Sequence, residues 1–130
     1  MKAHFSYSAK GLPFAAMTFT YRKRTLELDA LVDSGSMVNV LPLDVGQALG
    51  LSWEEQMLLL EPAGFLRGAP AYAVKIWGQL ANFPPVEFVF AWSGKPSREI
   101  PLILGQQNFF RFFTVTFKGY ANTFEISPRS

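Results

Sequence analysis

The stretch LVDSGSMVNVLP, residues 31 to 42, sets one carboxylate, Asp33, between the end of an apolar run and a Ser-Gly pair, after which apolar residues and a proline follow. An ionised aspartate that closes an apolar strand is costly unless its charge is satisfied, because desolvation penalises the charged form. Either the strand ends in water or the carboxyl has chemical work. One aspartate is a modest ligand, but two side by side cannot both ionise easily and share a proton. One member then acts as general base on a water and the other as general acid toward a carbonyl oxygen. The chain carries "DSG" once, and its 130 residues leave no room for a second lobe to supply a partner. A twofold axis that sets Asp33 of one copy beside Asp33 of another completes the pair, and twofold dimers are the commonest oligomers.

Other chemistries are poorly served. There are no cysteines, which removes thiolate nucleophiles, disulfide frameworks and cysteine-based zinc sites. The one histidine, His4, is expected in a frayed terminus, so a Ser-His-Asp triad or a histidine-rich metal site is not expected. Glu54, Glu55, Glu61, Glu87 and Glu99 lie in polar or alternating contexts and read as solvated. "GLPFAAM" and "GFLRGAP" lack the lysine and the following helix of a phosphate loop. A net charge of +2 does not argue for nucleic acid, and "YRKR" at residues 21 to 24 reads as a solvated hairpin turn. No segment reaches the length that spans a bilayer and no signal peptide is apparent, so the expectation is a soluble, cytoplasmic protein that uses neither membrane, metal nor cofactor.

Elements of short length must position Asp33. Residues 14 to 21 and 25 to 32 flank the basic break, and Leu26, Leu28, Ala30 and Val32 alternate with Thr25, Glu27, Asp29 and Leu31, which predicts a hairpin of half-buried strands. "VNVLP" predicts a short strand, and "LDVGQALG" a brief helix with Gly50 past its end. Ser52 and Glu55 have capping-box spacing. Strands follow in "MLLLEP", in "AYAVKIWG" and from about Val86, with the glycine-containing loop "AGFLRGAP" between the first two. "EIPLILG" predicts a buried strand, "QQNFFRFF" a short helix whose phenylalanines belong to the core, and "TVTFKGYANTFEIS" a closing hairpin. Many short strands with little helix, and 49% hydrophobic residues to fill a core, indicate an all-β barrel or sandwich.

"ALVDSGSMVNVLP", with "EIPLILGQQNFF" about seventy residues further on, resembles the retropepsin-like aspartic proteases, whose pattern is an apolar strand, Asp-Thr/Ser-Gly and Leu-Pro, then Ile/Leu-Leu-Gly. The resemblance implies an all-β fold, a small closed β-barrel with one or two short helices, over residues 14 to 130, preceded by an N-terminal extension of residues 1 to 13. It implies a homodimeric aspartic endopeptidase acting on an extended peptide or protein substrate, with Asp33 as the catalytic carboxylate. Ser34 matches the position whose hydroxyl bonds across the dimer axis, and Gly35 the position where backbone approaches substrate. Ser36 and Met37 continue the substrate-binding loop. Residues 61 to 72 stand where the family has its flap, and Gly64, Phe65 and Leu66 are its candidate substrate contacts. "FEIS" near residue 126 stands where relatives send a strand into the dimer interface.

Departures accompany the matches. Gln106 and Gln107 follow Leu-Gly where many members have arginine or aspartate, and Met37 stands where some have an acidic residue. These leave open a second reading, a non-catalytic dimeric or peptide-binding module on the same fold. Asp33, Ser34 and Gly35 would also suit an ordinary polar turn. The apolar residues on both sides and the distant "LILG" favour the catalytic reading.

Overall fold

The computed structural model describes residues 1–56, 59–60 and 70–129. Ten strands and two short helices follow in the order β1 (Ala3–Ser6), β2 (Phe14–Tyr21), β3 (Arg24–Val32), β4 (Asn39–Leu41), α1 (Leu43–Ala48), β5 (Leu59–Leu60), β6 (Ala71–Leu80), β7 (Val86–Ser93), β8 (Ile103–Leu104), α2 (Phe109–Phe112), β9 (Phe113–Lys118) and β10 (Thr123–Pro128). The chain is all-β. Its larger sheet runs β2-β3-β8-β4-β7-β6-β5, and β2 also pairs with β6, so six strands close into a barrel.

The expected β2–β3 hairpin is observed in register from Phe14↔Leu31 to Tyr21↔Arg24. Its alternation has the predicted sense: Ala15, Met17, Phe19, Ala30 and Val32 are buried, while Ala16, Glu27 and Asp29 face solvent. "YRKR" forms the tip, where Arg22 takes a positive φ of 54° and its guanidinium lies over the Tyr21 ring. Phe19, Phe88 and Phe90 fill the barrel, with Phe90 edge-on to the other two, and buried Trp92 is edge-on to Trp53, an arrangement that aromatic quadrupoles favour. Of the "FFRFF" phenylalanines, Phe109 and Phe113 are buried in this core, whereas Phe112 is 42% exposed.

Helix α1 sits on the barrel through a close approach. Trp92 is fully buried, its Nε1 donates to Leu43 O at 3.2 Å, and a Cβ at Gly46 would lie 2.1 Å from that same nitrogen. Asp44 fixes the start of α1 by accepting the backbone N–H and the hydroxyl of Ser97. Burial raises its pKa, but these bonds outweigh burial and hold the carboxyl below its ordinary value. The expected capping box is not formed. Ser52 Oγ donates to Glu54 Oε2 at 3.2 Å instead, and the segment makes one 3-10 turn, Trp53–Glu55, with no side-chain cap bond at its start.

A second sheet, β1-β10-β9, packs below the barrel. Here the sequence expectation for His4 fails: Ala3–Ser6 pairs with β10, His4 opposite Glu125, because Phe5 stacks on buried Phe124 at 5.2 Å between centroids. On the outer face Glu125 receives Lys118 Nζ at 2.8 Å and Lys2 Nζ at 3.4 Å, with His4 Nδ1 at 3.5 Å. The Lys118 hydrogen bond holds the Glu125 carboxyl below its ordinary pKa, and the Glu125 bond raises that of Lys118.

Two outcomes test these contacts. Gly46→Ala should lower the stability of the fold by about 1–3 kcal/mol in denaturant titration, since Trp92 has no space to retreat. Glu125, with its folded pKa depressed, contributes stability that is complete above its unfolded value and is lost as pH falls through the folded one. Glu125→Gln should therefore flatten the acid limb of a thermal-stability profile below about pH 5 and leave the neutral region little changed.

Candidate functional site

The site is built where the barrel has an unusual crossing. Strands β3 and β4 are joined by the short loop that carries Asp33, yet they do not pair with each other. β8 lies between them, parallel to β3 (Leu31↔Ile103, Val32↔Leu104) and antiparallel to β4 (Val40↔Ile103). The loop thus arches over the end of a strand that arrives about seventy residues later. Pro101 has no backbone N–H with which to extend β8, and Gly105 ends it, which leaves two paired residues.

Loop and crossing strand are tied at each step. Asp33 N–H donates to Leu104 O at 3.0 Å, Gln106 N–H to Ser36 O at 2.8 Å and Gln107 N–H to Met37 O at 2.8 Å. Gly105 passes so close that a Cβ there would lie 2.4 Å from Val38 O and 2.8 Å from Ser36 O. Only glycine meets that spacing without displacing the loop. Inside the loop Ser36 N–H donates to Asp33 O at 3.1 Å, and Gly35 N–H donates to Asp33 Oδ1 at 2.9 Å, which orients the carboxyl.

Asp33 is half-buried at the rim of a cleft of about 360 Å³ lined by Leu12, Pro13, Leu31, Val32, Ser34 and Phe117. It is the one ionisable group among those lining residues. A carboxylate held by a backbone N–H, with apolar walls and open access, is equipped to accept a proton from a bound water. Among the described residues no group of three His, Cys, Asp or Glu side chains is gathered as metal ligands, and no helix is long and apolar enough to cross a membrane.

A crystal structure of a retropepsin-like aspartic protease from Rickettsia conorii matches 97% of this chain and 89% of its own, with a TM-score of 0.76 and 11% sequence identity. The chain has the retropepsin-like fold. No protein-family model matches it, and no curated protein matches it in sequence. The barrel expected from the two motifs is therefore the barrel observed, while an identity this low speaks to the fold alone.

Within the retropepsin-like fold the predicted loop residues separate by exposure. Ser34, Gly35 and Met37 are exposed, Met37 at 61%, whereas Ser36 is turned inward and its hydroxyl donates to Val38 O at 2.8 Å. Gly64, Phe65 and Leu66 lie outside the described residues, as does the rest of the expected flap up to residue 69. Gln106, noted in the sequence as a departure, supports the loop: its Nε2 donates to Ser34 O at 2.7 Å.

The residue that sequence reading missed is Asn39. It is 1% exposed, and its Oδ1 accepts Gly105 N–H at 2.8 Å. Its Nδ2 donates to Val89 O and to Asn108 Oδ1, each at 3.1 Å, and Asn108 Oδ1 also accepts Val89 N–H at 2.9 Å. One amide thus joins the crossing strand, β7 and the start of α2. The signal was present, a lone polar residue inside the apolar run "VNVLP".

Asn39→Leu keeps the volume but leaves Gly105 N–H and Val89 O without their partner. It should cost about 2–4 kcal/mol of stability, read by denaturant titration, and Gly105→Ala should cost at least as much.

Proposed function

We propose that the chain is one protomer of a homodimeric aspartic endopeptidase that hydrolyses peptide bonds in extended substrates. The observation that carries this reading is Asp33 itself: a half-buried carboxylate on a rigid loop, oriented by Gly35 N–H, opening on an apolar cleft of a retropepsin-like barrel. Apolar walls and a fixed loop have no purpose in an ordinary solvent turn.

In the working form Asp33 and its symmetry mate share one proton. The ionised member takes a proton from water, whose oxygen attacks the peptide carbonyl carbon, while the protonated member gives its proton to the carbonyl oxygen. The tetrahedral gem-diol then collapses: the carboxyl that took the water's proton gives it to the amine nitrogen, the other carboxylate takes a proton from one hydroxyl, and the C–N bond breaks as the carbonyl re-forms. Ser34 ties the two loops across the axis, and Gly35 together with the surface of Ser36 and Met37 lies along the bound peptide. Gly64, Phe65 and Leu66 close over it and exclude water. The peptide is bound through its main chain, with alternate side chains in pockets. Neither metal nor cofactor enters the scheme.

The non-catalytic alternative drew on Gln106 and Met37. The Gln106 bond to Ser34 O weakens that ground, because this position stiffens the loop as a catalytic site requires.

Asp33→Asn is nearly isosteric and should reduce cleavage of a peptide library by at least about 10²–10⁴-fold while leaving dimerisation in place. The assay belongs between about pH 4 and 7, because a pair of carboxylates that share a proton works below neutrality. Equal cleavage by the variant and the native chain would remove Asp33 from the mechanism.

A further inference from the structure

Asp33 opens a β-turn. Ser36 N–H donates to Asp33 O at 3.1 Å, which makes Ser34 and Gly35 its two central residues. The peptide unit between them is the least determined part of such a turn. Rotating it by about 180° converts a type I turn into a type II turn, keeps the closing hydrogen bond and requires a positive φ at the third residue, which glycine adopts freely. Gly35 does not have a positive φ, so the turn is not of type II. The Ser-Gly pair permits both forms, and its backbone alone does not select between them.

Two side chains hold that peptide, one at each end. Its N–H, from Gly35, donates to Asp33 Oδ1 at 2.9 Å, and its oxygen, from Ser34, accepts Gln106 Nε2 at 2.7 Å. In a trans peptide these two groups point opposite ways, so the bonds grip one plane from both sides and each polarises the unit in favour of the other. Gln106 is fixed by its own main chain, whose N–H donates to Ser36 O at 2.8 Å. A rotated peptide would lose both bonds and turn the Ser34 oxygen toward the Asp33 carboxyl, where two acceptors repel.

Proton transfer makes the two bonds unequal. A carboxylate accepts an N–H strongly and a carboxylic acid less so, and each Asp33 changes between these forms in every turnover. The hold that Asp33 supplies therefore slackens when its carboxyl is protonated. Gln106 has no ionisable group, and its hold persists. We propose that Gln106 is a positioning residue, which fixes the Ser34–Gly35 peptide in its observed sense and so keeps Gly35 N–H aimed at Asp33 through each proton transfer. This rests on the aspartic-protease reading above. The departure at position 106, a neutral amide where many members have arginine or aspartate, thereby acquires a role that acts through the turn.

Amide hydrogen exchange by NMR and peptide cleavage, both on the full chain, test this together. Gln106→Met keeps the length of the side chain and removes its donor, and Gln106→Lys returns a donor. In Gln106→Met the Gly35 amide should exchange about tenfold faster or more, as for one lost hydrogen bond. Ser36 N–H, whose turn bond survives the rotation, and Asp33 N–H, bonded to Leu104 O, should keep their native rates. kcat should fall about 10–100-fold with KM changed less than about twofold, and Gln106→Lys should recover most of both losses. Unchanged Gly35 exchange in Gln106→Met overturns the assignment, as does equal acceleration at Asp33, Gly35 and Ser36, which marks a loop that has simply loosened. A raised KM at constant kcat, or a constant kcat beside a freed Gly35 amide, overturns the positioning role. A native chain that cleaves no peptide overturns the protease reading instead, and the Gly35 exchange rate still decides what Gln106 holds.

Discussion

The constraint on which the site depends is the passage of Gly105 beneath the loop that carries Asp33. A Cβ at that point would enter the carbonyl of Val38, and the same residue's N–H is the group that Asn39 holds. Close packing and hydrogen bonding therefore act on one peptide unit. A carboxyl that must meet a symmetry mate within hydrogen-bonding distance tolerates little play in its loop, and the crossing strand removes that play. The buried amide network is costly to leave half made, so it also specifies a single arrangement of β4, β8 and α2.

Much of the barrel could be read from periodicity. The β2–β3 hairpin follows from strict alternation, and the basic tip follows from a break in it. "LILG" was legible as a buried strand but not as a partner of β3 and β4, because a two-residue strand in parallel contact leaves no local pattern. Asn39 was passed over since one polar residue in an apolar run does not announce which distant groups it satisfies. His4 was misplaced for a related reason: whether a short terminal segment is ordered depends on a strand more than a hundred residues away, here the Phe5 and Phe124 stack. Asp33 stood out in the sequence because apolar residues flank it, and the loop it opens is a turn closed by Ser36 N–H on its carbonyl.

Carboxylates on both parts of the fold are held ionised by their partners. A dyad that shares a proton works below neutrality, and Glu125, held below its ordinary pKa by Lys118, stays ionised over most of that range. Asp44, bonded to Ser97, behaves alike at the other side of the barrel. The carboxylates that brace the fold are thus held by cations and hydrogen-bond donors that keep them ionised as the pH falls.

The crossing also orders events in time. Leu104, the acceptor for Asp33 N–H, emerges from the ribosome about seventy residues after Asp33, and β10 must arrive before β1 has anything to pair with. Contacts so distant in sequence form late, after their loop-closure entropy has been met. The loop that carries Asp33 is therefore held in its final geometry only once β8 has docked against it, so the site takes shape late in folding.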